Sequence, residues 1–131
     1  MPEYDNTTAL LSVDMKKNRI RVFKSTLHKL GDPPYLQLLV NPLTSEVAVK
    51  AVQRSASKDQ THKVSRKRLE SSNSVEIYSK IFIDKLNEVI PGINSENCYH
   101  MTGKIIPSEK IAVFSFRFLH SPEEGDMPCQ I

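Results

Sequence analysis

Tryptophan is missing from this 131-residue chain, and glycine occurs only four times. So few glycines exclude the glycine-rich loops that cradle nucleotide phosphates. Cysteine is scarcer still, with Cys98 and Cys129 alone. Two widely separated cysteines are no disulfide scaffold and lack metal-ligand spacing, so the expectation is reduced thiols in a cytoplasmic protein. Cys98 and His100 would share one strand face, but two donors fall short of the four that a structural zinc takes. His28, His62, His100 and His120 show no paired spacing, and no catalytic constellation emerges from the chain. The expectation is a non-enzymatic protein without a cofactor. Long hydrophobic runs are absent too. The opening MPEYDNTTALLSV is acidic before it is apolar, and no stretch approaches the roughly 20 residues of a membrane-spanning helix. No membrane partner is expected.

What is present describes a globular protein: 39% hydrophobic and 25% charged residues, with a formal net charge of +3. The length suits one domain, or two small halves sharing a core. The first complete unit is RIRVFKSTLHKLGDPPYLQLLVNPLTSEVAVK, residues 19–50. Arg19 to Phe23 alternates polar and apolar, as a half-buried strand does. Ser25 is a candidate cap for a helix over 26–30, with Leu27 and Leu30 on one face and Gly31 as its stop. Pro33 and Pro34 forbid further helix. Tyr35 to Val40 then runs as a strand to the turn at 41–44, and Val47 to Val52 returns. Ahead of this unit, 8–13 reads as a short strand after a frayed terminus.

Residues 53–74 change character, being rich in Ser, Lys and Arg, and read as a basic loop. The order then restarts. Val75 to Tyr78 reads as a strand, Ser79 caps a helix over 80–90, Pro91-Gly92 ends it, and strands follow at 98–106 and 111–119. Residues 120–131 form an acidic tail. Tyr35 and Tyr99 are 64 apart, as are Val47 and Ile111, Ala48 and Ala112, and Val49 and Val113. The spacing predicts hairpins of equal length and the same inward phase. The expected fold is therefore α+β: two β-α-β-β pseudo-repeats, 8–52 and 75–119, sharing one core within a single domain. The competing reading is one mixed sheet with two helices and no duplication. A unit of about 32 residues buries too little by itself, so two must pack within the chain or by interleaving with another chain, and a homodimer is the expected state.

Function has to be argued from charge. Arg19 and Arg21 lie two apart on one strand and so share a face, with Lys16, Lys17 and Lys24 close by in sequence. Arg54, Lys63, Arg66, Lys67 and Arg68 make the second basic cluster, in the loop. Either set suits phosphate contacts, which position a protein on nucleic acid without reading its sequence. Phe114, Phe116 and Phe118 alternate on one strand and read as a core face rather than a stacking platform.

The first unit resembles the AbrB-type swapped-hairpin module, duplicated in the MraZ family. The matching positions are Ile20, Val22, Lys24, Leu27, Leu30, Gly31, Leu36, Leu38, Val47 and Val49. The chain departs from that pattern at Phe23, where the family has proline, at Asp32-Pro33-Pro34, and at Glu76 in the second strand. The resemblance implies double-stranded DNA as partner, contacted through Arg19, Arg21 and Lys24, and a part in transcription regulation. The β-α-β-β order is also similar to the TATA-binding-protein type, and the chain in general to small bacterial or phage proteins. Beside DNA binding stand two other readings: a non-catalytic protein-interaction module, and a small-molecule-binding domain with its cleft between the halves.

Overall fold

The computed structural model describes residues 7–53 and 61–116, with the backbone alone at Arg66 and Arg68. Arg54, Cys129, Phe118 and the acidic tail lie outside the described residues, as does the N-terminal segment up to residue 6 that was expected to fray. The elements follow in the order β1 (Thr8–Asp14), β2 (Arg19–Phe23), α1 (Lys24–Lys29), β3 (Tyr35–Asn41), β4 (Glu46–Val52), β5 (Thr61–Lys63), α2 (Arg66–Ser71), β6 (Ser74–Tyr78), α3 (Lys80–Val89), β7 (Cys98–Ile106) and β8 (Ile111–Ser115). All eight strands join one sheet in the order β5-β3-β4-β8-β7-β1-β2-β6. Every pairing is antiparallel. The domain is mostly β, with three helices, within the α+β class. Among the described residues no helix is long and apolar enough to cross a membrane.

Alternation makes the strands. Ile20 and Val22 in β2 are fully buried, and Val75 and Ile77 repeat the pattern in β6. The β3–β4 and β7–β8 hairpins meet through β4 and β8 at the middle of the sheet, and Val47 and Phe114 face each other there. Phe114 and Phe116 lie in the core, and the Phe116 ring meets Tyr99 edge-on at 5.6 Å. Both halves thus contribute to one sheet and one core, which meets the burial requirement inside a single chain.

Three hairpins turn alike. Closing pairs Asp14–Arg19, Asn41–Glu46 and Ile106–Ile111 each enclose four residues. The last of the four is left-handed in every case: Asn18 (φ 54°), Ser45 (φ 57°) and Lys110 (φ 51°). Four-residue loops of this kind are built around a type I turn, and the left-handed residue returns the chain to the strand direction. These turns also correct the expected repeat phase. At a spacing of 64, buried Val47 matches half-buried Ile111, and half-buried Ala48 matches buried Ala112. Matching the turns instead gives 65, which pairs Val47 with Ala112, Val49 with Phe114, and Pro42 with Pro107.

Helix α1 starts two residues earlier than expected. Phe23 stands at its N-cap with no side-chain cap, and Ser25 lies inside the helix. The anchor is Thr26, whose Oγ accepts the Leu10 N–H (2.9 Å) and donates to the Leu10 carbonyl (3.2 Å). In α3 the expected cap is present, and Ser79 Oγ accepts from the Phe82 N–H at 3.1 Å. Gly31 (φ 88°) and Gly92 (φ 80°) follow the two helices in the left-handed conformation that favours glycine.

The segment expected to be loop throughout, 53–74, holds β5 and α2. Its two large apolar residues, Val64 and Leu69, are buried at 6% and 8% exposure, and they pin these elements to the core. Cys98 also departs from expectation, being disulfide-bonded instead of a free thiol.

Candidate polyanion-binding surface

The two arginines of β2 lie on the outer face of the sheet, yet they do not face solvent freely. Arg19 donates to Asp14 Oδ2 at 3.1 Å and approaches Glu76 at 3.9 Å, while Arg21 donates to Glu76 at 2.8 Å. The β2–β6 register is responsible, because it sets Arg21 directly opposite Glu76. Two guanidinium groups therefore stand against two carboxylates, and the charge cancels locally. Side-chain exposure is only 13% for Arg19 and 24% for Arg21. The hydrogen bond from Arg21 holds the Glu76 carboxyl below its usual range, with Tyr78 and Arg19 adding to the effect against the opposing pull of burial. Tyr78 also donates its hydroxyl to Glu76 at 3.1 Å. Further along the same face, Ser12 Oγ and His100 Nδ1 lie 2.8 Å apart across β1 and β7.

The remaining residues of the first basic set are divided. Lys24 Nζ donates to the Leu69 carbonyl at 3.0 Å, tying α1 to α2. Lys16 stands 3.7 Å from Glu96, both well exposed. Lys17 is exposed, and only its backbone N–H is engaged, on Asp14 Oδ1 at 3.2 Å. The structure does not gather Lys16, Lys17, Arg19, Arg21 and Lys24 into one free cationic face.

A different set does converge. Lys63 at the end of β5 and Lys67 in α2 line one shallow depression with Pro34, Tyr35, Val64 and Ser65. Neither ammonium has a carboxylate partner among the described residues. Tyr35 pairs directly with Lys63 across β3 and β5 and sets its place. Arg66 and Arg68 flank Lys67 in the α2 backbone. At the same end, the Ala51 N–H donates to the Lys110 carbonyl at 2.9 Å, which brings the 107–110 turn beside exposed Lys50. Lys110 Nζ lies over Gly31. Lys50 and Lys110 are also without ion pairs among the described residues. Carboxylates at this end include Glu70, exposed and three residues after Lys67 in α2, Glu109, also exposed, and Asp32, which is 3.0 Å from His28.

Lysines 50 and 110 escaped sequence reasoning because each sits alone in its local run. Only the pairing of β4 with β8 brings them to the end where β5 and α2 lie. An open groove of about 610 Å³ lies between β3 of the first half and α3 of the second, where a cleft between the halves was expected. Among the described residues no group of three or more His, Cys, Asp or Glu is placed to hold a metal ion. No family model, curated protein or solved structure matches the chain.

Proposed function

We propose that this protein is a duplicated β-α-β-β domain that binds duplex DNA through phosphate contacts at the β5–α2 end. The observation that carries the reading is the convergence of Lys63 and Lys67 beside Tyr35, neither ion-paired among the described residues. Lys50 and Lys110 extend the same end, and Arg54, Arg66 and Arg68 belong to the same stretch of sequence. Unpaired cations held together release counterions from DNA, whereas cations already paired to carboxylates release few. Arg19 and Arg21 therefore serve the sheet in this reading, and the swapped-hairpin resemblance carries over as architecture more than as contact residues. Phosphate contacts of this kind position the protein without specifying a sequence.

The duplication is supported by paired details. The Lys24 N–H donates to the Asn73 carbonyl (2.7 Å), and the Ser79 N–H donates to the Asn18 carbonyl (2.9 Å). These two bonds extend the β2–β6 ladder at opposite ends and are related by exchange of the halves.

The test is fluorescence polarisation with a random-sequence duplex at low and moderate salt. The wild type is expected to bind with affinity that falls steeply as salt rises. Lys63→Ala with Lys67→Ala is expected to weaken binding about tenfold and flatten the salt slope by about two charges. Arg19→Ala is expected to lower stability without changing the slope of the folded protein. No binding at micromolar protein in low salt would refute the reading.

A further inference from the structure

The cationic end holds more than its cations require. Contacts to the phosphates of a closed duplex need only exposed ammonium groups. Here Lys63 and Lys67 border a depression of about 520 Å³, and its lining includes Pro34, Tyr35 and Val64. That volume lies in the range of small-ligand sites. Apolar and aromatic surface between two ammonium groups goes unused by a ligand that offers phosphate alone.

The chain builds this surface rigidly. In β3, Tyr35 alternates with fully buried Leu36, so its side chain lies on the outer face of the sheet, beside that of Lys63. Pro34 comes just before, with its φ fixed by the ring, and its carbonyl accepts the Val64 N–H at 2.9 Å. Val64 and Leu69 are buried, and Lys24 Nζ holds the Leu69 carbonyl at 3.0 Å. Both lysines therefore stand on elements pinned to the core. Among the described residues, the side chains of Tyr35, Lys63 and Lys67 make no hydrogen bond or ion pair, and the Tyr35 ring packs on no other aromatic.

An aromatic face beside unpaired cations is the combination that holds unpaired nucleotides, with the base on the ring and the phosphates on the cations. A fully paired duplex keeps its bases stacked inside a convex cylinder and cannot present one to a depression. A nucleotide at a bulge, gap or frayed end can enter, because unstacking it costs least. We propose that the depression receives one unpaired nucleotide of the bound DNA, its base against Tyr35 and its phosphate on Lys63 and Lys67. This role rests on the phosphate-contact reading above and adds a preference for duplex that carries an unpaired base. Stacking releases no counterions, so the preference should keep its size as salt rises while both affinities fall.

The test uses the full chain and three duplexes of one sequence: closed, with a single unpaired thymidine, and with an abasic site in that thymidine's place. In fluorescence polarisation the thymidine bulge is expected to bind about tenfold tighter than the closed duplex, and the abasic bulge no tighter. Tyr35→Leu is expected to erase the difference. Because the chain lacks tryptophan, Tyr35→Trp places a single one at the site. Its emission is expected to fall with the thymidine bulge and to hold steady with the abasic bulge or with inorganic tripolyphosphate. Equal binding of closed and bulged duplex would overturn the preference and leave the phosphate contacts standing, whereas no binding of any duplex would refute both. A preference that survives Tyr35→Leu, or extends to the abasic bulge, would assign it to the bend of the DNA. Quenching by tripolyphosphate would reduce the depression to a phosphate site. A tryptophan shielded from acrylamide in the free protein would show the depression filled by the chain itself.

Discussion

Ser45 and Lys110 hold the same place in two hairpins, 65 positions apart, and both are left-handed, at φ 57° and 51°. Neither is glycine, so each turn carries the steric cost of a Cβ in that region. Each also anchors a neighbour through its carbonyl, Ser45 accepting from the Phe116 N–H (2.8 Å) and Lys110 from the Ala51 N–H (2.9 Å). A β carbon is therefore dispensable at these sites, while the backbone conformation is required.

Lys110→Gly is accordingly expected to stabilise the fold, by about 0.5 kcal/mol once the greater freedom of glycine in the unfolded chain is set against the relieved strain. A urea midpoint that rises with an unchanged m-value would agree. The same variant removes one cation from the β5–α2 end, so under the proposed function DNA affinity should fall while stability rises. That opposition separates its two roles.

How much of this could be seen in the sequence depended on whether local pattern or distant pairing made each feature. Strands β2 and β6 were legible because Ile20, Val22, Val75 and Ile77 alternate over short runs with one buried face. Gly31 and Gly92 marked helix ends for the same local reason. The β5–α2 segment was not legible, since Val64 and Leu69 are lone apolar residues among polar ones. The likeness of the two hairpins was read one residue out of phase with their turns, because apolar strands align almost equally well at either spacing. The pairing of Arg21 with Glu76 was beyond reach, since it exists only through contact of β2 with β6, 55 positions apart.

That pairing has a pH signature. The carboxyl of Glu76 is depressed in the folded state, chiefly by Arg21, so the unfolded chain takes up its proton first as pH falls. The stabilisation is complete above the ordinary glutamate value of about 4.5 and is lost as pH drops through the folded value. Glu76→Gln is expected to cost about 1 kcal/mol at pH 7 and less at pH 3, given that the pair is partly exposed. Urea midpoints at the two pH values provide the measurement; equal losses at both would rule out the ionic explanation.

His62 acts at higher pH. Desolvation lowers its pKa below 6.5, and its buried Nε2 has no hydrogen-bond partner. The unfolded state binds the proton more readily, so stability is full above about pH 6.5 and declines below it. His62→Leu puts on β5 the residue type that Leu11 supplies in β1. It is expected to stabilise the protein at pH 5 by more than at pH 8. A gain equal at both pH values would show that only the unpartnered nitrogen matters.

The sharpest test of the duplication lies in how the two hairpins fill one position. Leu38 faces Val49 across β3 and β4. At the matching place on β7 stands Gly103, with the Phe114 ring lying where a side chain would project. A Cβ on Gly103 would run into the Val113 carbonyl oxygen and come within 2.5 Å of the Phe114 ring. One hairpin thus fills the space with two medium side chains, and the other with one large and none. Gly103→Leu alone should overpack the site and cost about 3 kcal/mol, at the upper end of such insertions. Phe114→Val alone should leave a cavity at a similar cost. Combined, they install the Leu–Val pair of the first hairpin and clear the ring but not the Val113 carbonyl from the path of the new Cβ, so the double variant should recover part of the summed loss. Calorimetric melting of the four proteins measures this coupling. Strictly additive losses would mean that the two positions are not equivalent, and the repeat would then be a likeness of strand order alone.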